Sequence, residues 1–110
     1  MKLRDAWCRE TAHPSYQKNW TRDNPSYGQC AVTCLAMQDA YGGEIYECMV
    51  NGKRHYVNVL PQGTMYDFTA EQFGQNVLYE DMKLRTRASL LKSQSVKERY
   101  ALLKARLEEN

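Results

Sequence analysis

From Gln29 to Tyr41 the apolar residues Cys30, Ala31, Cys34, Leu35, Met37 and Tyr41 recur at three- and four-residue spacing. That period predicts a central helix with a broad apolar face, ended by Gly42-Gly43, since glycine takes the left-handed conformation at a helix end without a Cβ penalty. Beyond the glycines the period shortens to two. Strands are predicted over Glu44–Val50, Arg54–Leu60 and Thr64–Phe68, with turns at Asn51-Gly52 and Pro61-Gln62-Gly63, and Asn-Gly between apolar runs is the strongest short hairpin signal. Thr69-Ala70-Glu71-Gln72 has the form of a capping box, which predicts a helical turn there. Residues 75–86 follow neither period.

The chain's two ends read more simply. Ser95-Val96-Lys97-Glu98 is a second capping-box pattern, followed by the stripe Val96, Tyr100, Leu103 and Leu107 at helical spacing. Leu3, Ala6 and Trp7 suggest a short helix over residues 3–12, broken by His13-Pro14-Ser15, and a loop to Tyr27 that carries Trp20. Helix, loop, helix, meander, helix predicts an α+β domain with helices against one face of an antiparallel sheet. With 110 residues there is room for one domain, residues 1–110.

Composition adds mainly exclusions. Fifteen Lys and Arg against thirteen Asp and Glu leave a net charge of +2, too small to imply nucleic acid or an anionic membrane as partner. Basic residues concentrate in the last quarter, from Lys83 to Arg106, where a solvated helix surface balanced by Glu98, Glu108 and Glu109 is the expectation. The N-terminus lacks a signal-like apolar run, so a cytoplasmic address with four free thiols (Cys8, Cys30, Cys34, Cys48) is expected. Cys30, Cys34, Cys48 and His55 can be posed as a metal site, since Cys and His at helical i, i+4 spacing can share an ion, but no C-x-x-C pair or other ligand spacing supports a metal, and none is assigned.

Three residues carry candidate chemistry. A cysteine attacks as thiolate, favoured by a helix N-terminus and a nearby imidazolium. Cys30 opens the central helix, where backbone N–H groups lack intrahelical partners. Its own N–H and the Gln29 side chain are candidate oxyanion donors, and Gly28 would let a substrate approach the backbone. His55 shares a strand face with Val57 and Val59, a face expected to look at the central helix. If Pro61-Gln62-Gly63 makes a three-residue connection, Leu60 pairs with Thr64 and Val57 with Asp67. Asp67 then lies diagonal to His55, about 7–8 Å away between Cα atoms, within reach to orient the imidazole. Each residue has a plainer reading: Cys30 as a core thiol like Cys34, His55 as a satisfied strand histidine, Asp67 as a turn residue. The order of the three, helix-start Cys, strand His and next-strand Asp, favours a Cys-His-Asp triad.

The residues Trp20, Asn24-Pro25-Ser26-Tyr27-Gly28-Gln29-Cys30-Ala31-Val32-Thr33, Gln38-Asp39, Gly42-Gly43-Glu44-Ile45, His55-Tyr56-x-Asn58, Leu60-Pro61-x-Gly63, Asp67-x-Thr69-x-Glu71-Gln72-Phe73 and Arg99-Tyr100 resemble the YunG family of small bacterial proteins. More broadly the layout is similar to the papain-like and transglutaminase-like superfamily. That resemblance implies a compact core with the central helix packed on a small antiparallel sheet, Cys30 as nucleophile, His55 as general base and Asp67 as its orienter. Gly28, Gln29, Trp20 and Asn58 are then candidate oxyanion or substrate-binding residues. Two positions depart from the family pattern: Val57 stands in place of Trp, and Cys34 in place of the commoner Ala. Superfamily chemistry spans amide and acyl hydrolysis, deamidation and acyl transfer on peptides, proteins or small amides, without a cofactor. A catalytically silent module binding a peptide or small molecule in the same fold is the alternative.

Overall fold

The computed structural model describes residues 2–109, so Met1 and Asn110, the ends of the expected domain, lie outside the described residues. The central helix, α3, spans Cys30–Tyr41. Val32, Thr33, Cys34, Leu35 and Ala36 are all buried, so the helix is enclosed around most of its circumference and not only along one stripe. Gly42 ends it, its N–H donating to the Gln38 carbonyl at 2.8 Å. Gly43 follows at φ +81°, and a Cβ there would lie 2.2 Å from the Val59 carbonyl oxygen. Only glycine lets the chain turn this close to the strand it must pass.

Strands β1 (Glu44–Val50) and β2 (Lys53–Val59) form the predicted hairpin. Both turn residues, Asn51 and Gly52, have positive φ, as a type I′ turn requires. Strand β3 is short, Met65–Tyr66, and pairs Met65 with Val59 and Tyr66 with Asn58. A fourth strand, β4 (Glu80–Arg85), pairs with the other side of β1, giving an antiparallel sheet in the order β3-β2-β1-β4. Its ladder slips by one residue between Glu47 and Met49, a bulge at which Asp81 takes φ 57°.

The sheet's two faces are covered differently. On one, Ile45 packs with Cys34, Leu35 and Leu90, with Tyr56 and Val96 against them. On the other, Cys48, Val50 and Val57 are covered by Phe73, Val77 and Tyr79. The body of α3 therefore meets the Tyr56 and Asn58 face, not the His55 and Val57 face as the alternation suggested. Asn58 Nδ2 donates to the Cys34 carbonyl at 3.0 Å.

The C-terminal helix, written α5 because a one-turn helix α4 (Arg87–Leu90) precedes it, runs Gln94–Leu107. Its stripe is used as expected. Leu103, fully buried, joins Ala6, Trp7, Val32 and Ala36, with Tyr100 and Leu107 against that cluster; each such aliphatic burial contributes about 1.5–3 kcal/mol. The cap is Ser93, whose Oγ accepts from the Val96 N–H at 3.2 Å, while Ser95, the predicted cap, accepts from Arg99 Nε. Ser93→Ala is accordingly expected to lower stability by about 1 kcal/mol, read as a shifted urea midpoint, with a smaller loss for Ser95→Ala.

The N-terminal expectation of one helix is corrected. Helix α1 covers Leu3–Ala6, a separate 3-10 turn covers Arg9–Thr11, and α2 (Pro14–Gln17) stands in the predicted loop. Proline occupies the first position of α2 and His13 Nδ1 accepts from the Ser15 N–H, so the supposed breaker starts a helix. The Thr69 capping box is corrected too: residues Ala70–Phe73 form a 3-10 turn, but Thr69 makes no side-chain cap. Several arginines of the basic C-terminal quarter are tied into the fold. Arg87 pairs with Asp39, Arg85 with Glu47, and Arg106 donates to the Ala6 carbonyl. Among the described residues no helix is long and apolar enough to cross a membrane.

Candidate functional site

The connection after β2 decides where Asp67 goes. Leu60 N–H donates to the Thr64 carbonyl at 2.9 Å and Gly63 N–H to the Leu60 carbonyl at 2.8 Å, so three residues span the turn without a bulge. Continuing the Asn58–Tyr66 register by one step sets Asp67 opposite Val57 and diagonal to His55. Asp67 Oδ2 lies 2.7 Å from His55 Nε2, and both side chains are nearly inaccessible, at 4% and 3%.

Asp67 is saturated. Its Oδ2 also accepts from the Tyr79 hydroxyl at 2.8 Å, and its Oδ1 accepts from the Thr69 N–H and hydroxyl at 3.0 and 3.1 Å. Burial alone would raise its pKa, but the donors, His55 above all, hold it below the usual carboxylate value. His55 mirrors this. Burial pulls its pKa down, yet the bonds to Asp67 and Cys30 more than reverse that and carry it up to about 9. With Nε2 on Asp67, Nδ1 is the ring nitrogen left for the Cys30 thiol. Phe73 meets the imidazole edge-on with centroids 4.8 Å apart. Burial raises the other core thiols, Cys48 to about 11 and Cys34 well above its ordinary value, as expected for inert thiols in apolar surroundings.

Cys30, the first residue of α3, is half-buried and lines two clefts. The smaller, about 210 Å³, is walled by His55, Phe73, Gln72 and Tyr27. The larger, about 540 Å³, is walled by His13, Ser15, Tyr56 and Arg99. Tyr16, Gly28, Lys53 and Arg54 line both.

The outer ring of predicted residues is largely corrected. Gly28 does border both clefts, at φ +74°, but the space its missing side chain leaves is filled by Tyr16, whose Cβ would be 2.8 Å from an added Cβ. Tyr16 stacks on Tyr27 there. Gln29 is fully buried, lines neither cleft, and donates from Nε2 to the Cys8 carbonyl at 2.9 Å. Trp20 is buried in the N-terminal loop, its Nε1 donating to the Pro25 carbonyl and Arg22 lying over its ring. Asn58 braces α3. None of these three reaches the clefts, because each satisfies a backbone carbonyl that the fold would otherwise bury unpaired.

Four residues around Cys30, His55 and Asp67 were not anticipated: Thr69 and Tyr79 on Asp67, Phe73 on His55, and Arg99 in the larger cleft. Asp67-x-Thr69 is a readable Asx-turn signal, whereas Tyr79 sits in the stretch whose period said nothing.

The chain matches the model of the YunG protein family over residues 1–110. The uncharacterised protein YunG of Bacillus subtilis (strain 168) is 38% identical to it over 78 residues, which are 71% of this chain and 63% of that relative. The matched stretch thus spans a little under two thirds of the relative's length. No solved structure matches the chain.

Proposed function

The chain belongs to the YunG family, and within it we propose a thiol enzyme of papain-like or transglutaminase-like type, acting on an amide or acyl group through Cys30, His55 and Asp67. One observation carries the reading: a buried imidazole clamped by a saturated carboxylate on Nε2, in the wall of a cleft that the Cys30 thiol also lines.

The chemistry follows. His55 takes the Cys30 proton, and the thiolate attacks the substrate carbonyl carbon, forming the S–C bond as the carbonyl electrons move to oxygen. The backbone N–H at Cys30, free of an intrahelical partner, faces the oxyanion. Collapse breaks the carbonyl–nitrogen bond, and the amine leaves with the proton from His55. Water, or an amine in a transferase, then attacks the thioester with His55 again as base. Asp67 stabilises the imidazolium throughout and is a positioning residue.

The test is alkylation. With iodoacetamide between pH 5 and 9, Cys30 is expected to react at least about tenfold faster than half-buried Cys8 near neutral pH, and His55→Ala to remove that advantage, read by peptide mass. Equal slow labelling of all four cysteines, unchanged in His55→Ala, sinks the reading. The rival, a binding module without chemistry, draws on the two aromatic-walled clefts; it predicts that Cys30→Ser keeps full ligand affinity and that no covalent adduct with a substrate is trapped.

A further inference from the structure

Arg4, Arg54, Arg85 and Arg87 each lie against a carboxylate. Arg99 does not. It is only 7% exposed, yet among the described residues it forms no ion pair. Its Nε donates to Ser95 Oγ at 3.0 Å and its Nη1 to the Thr11 carbonyl at 3.2 Å, which leaves Nη2 uncommitted. A buried guanidinium without a counter-charge is costly unless something else supplies one.

Where that charge would come from is set by the walls around it. Arg99 lines the 540 Å³ cleft that Cys30 also borders. Lys53 and Arg54 line it too, and neither cleft has an Asp or Glu in its lining. Arg54 is mostly exposed and already faces Glu47, so its pull on a ligand is screened by solvent. Arg99 is desolvated and held in place by bonds at Nε and Nη1, with Nη2 left to donate. A guanidinium N–H fixed in this way suits a carboxylate, with which it makes a charge-assisted hydrogen bond.

We propose that Arg99 anchors a carboxylate of the substrate, so that the compounds this protein acts on are small amides or acyl compounds with a free carboxylate seated in the larger cleft and the scissile carbonyl at Cys30. This rests on the thiol-enzyme reading and adds its substrate class. The cleft volume is in the range of pockets that hold small organic ligands, about 300–1,000 Å³.

Iodoacetate and iodoacetamide separate the two ideas. Each alkylates by the same step, in which the thiolate sulfur displaces iodide and forms an S–C bond; they differ in a carboxylate against a neutral amide. Cys30 is expected to prefer iodoacetate over iodoacetamide by about tenfold relative to Cys8 in the same molecule, the effect of one charge-assisted hydrogen bond. Arg99→Gln should bring that relative preference to about one, while the Lys53→Gln/Arg54→Gln double variant keeps it within about twofold. No preference in the unmodified protein overturns the proposal, and so does a preference that survives Arg99→Gln. If Arg99→Gln does not fold, the double variant decides: retention supports Arg99, and collapse assigns the preference to the exposed cations and overturns it. The thiol-enzyme reading fails separately, through an iodoacetamide rate at Cys30 that is slow and indifferent to His55→Ala.

Discussion

Asp67→Ala is expected to destabilise the protein by about 3–5 kcal/mol, the usual cost of removing one partner from a buried ion pair. Four donors lose their acceptor at once: His55 Nε2, the Tyr79 hydroxyl, and the Thr69 N–H and hydroxyl. The imidazole is 3% exposed and cannot turn to water in place of the carboxylate. Burial is then opposed by the Cys30 contribution alone, so His55 should titrate well below the wild-type value of about 9. Urea unfolding with an unchanged m value checks the stability, and an NMR titration of the imidazole checks the pKa. A loss under about 1 kcal/mol would mean that the pair is not buried together. Asp67→Asn should cost less, because its amide oxygen still accepts from Thr69 or Tyr79.

The reach of sequence reasoning followed the range of the forces involved. The β1–β2 hairpin and the β2–β3 register were legible because Asn51-Gly52 and a three-residue turn fix pairing locally, and that local fact carried Asp67 to His55. β4 was not legible, since its residues are mostly exposed on both faces and it is held chiefly by the ladder to β1, a partner more than thirty residues earlier. The same gap hid Tyr79. The face assignment of His55 failed for a related reason: a two-residue period says which residues share a face, but not which of two covered faces meets the helix. Gln29 and Asn58 were misplaced because polar residues near a nucleophile look functional in one dimension, while in three they satisfy the Cys8 and Cys34 carbonyls. Arg99 looked like a solvated helix charge because its partner, the Thr11 carbonyl of the Arg9–Thr11 turn, reaches it from far along the chain.

The same pair should give the stability a distinct pH profile. A histidine whose pKa rises from 6.5 unfolded to about 9 folded binds its proton more tightly in the native state. Its contribution is complete below about pH 6.5 and is lost as pH climbs through 9, a fall of roughly 3 kcal/mol at 1.36 kcal/mol per pKa unit. Asp67 has the opposite sense: with a depressed pKa its contribution is present above about 3.8, its ordinary value, and is lost as pH falls further. His13, lowered by burial and by Arg99, contributes above pH 6.5 and opposes the His55 trend weakly, since it is exposed enough for solvent to screen it. Stability is therefore expected to be greatest from about pH 4 to 6.5 and to drop between pH 6.5 and 9.5, measured by urea denaturation at fixed ionic strength. Asp67→Asn should reduce the alkaline drop, because the imidazole then loses the Asp67 share of its raised pKa. A wild-type protein equally stable at pH 6 and 9.5 would show that His55 carries no extra proton affinity in the fold. That would also remove the imidazolium that a Cys30 thiolate needs beside it at neutral pH, which ties the stability curve to the alkylation rate through a single proton.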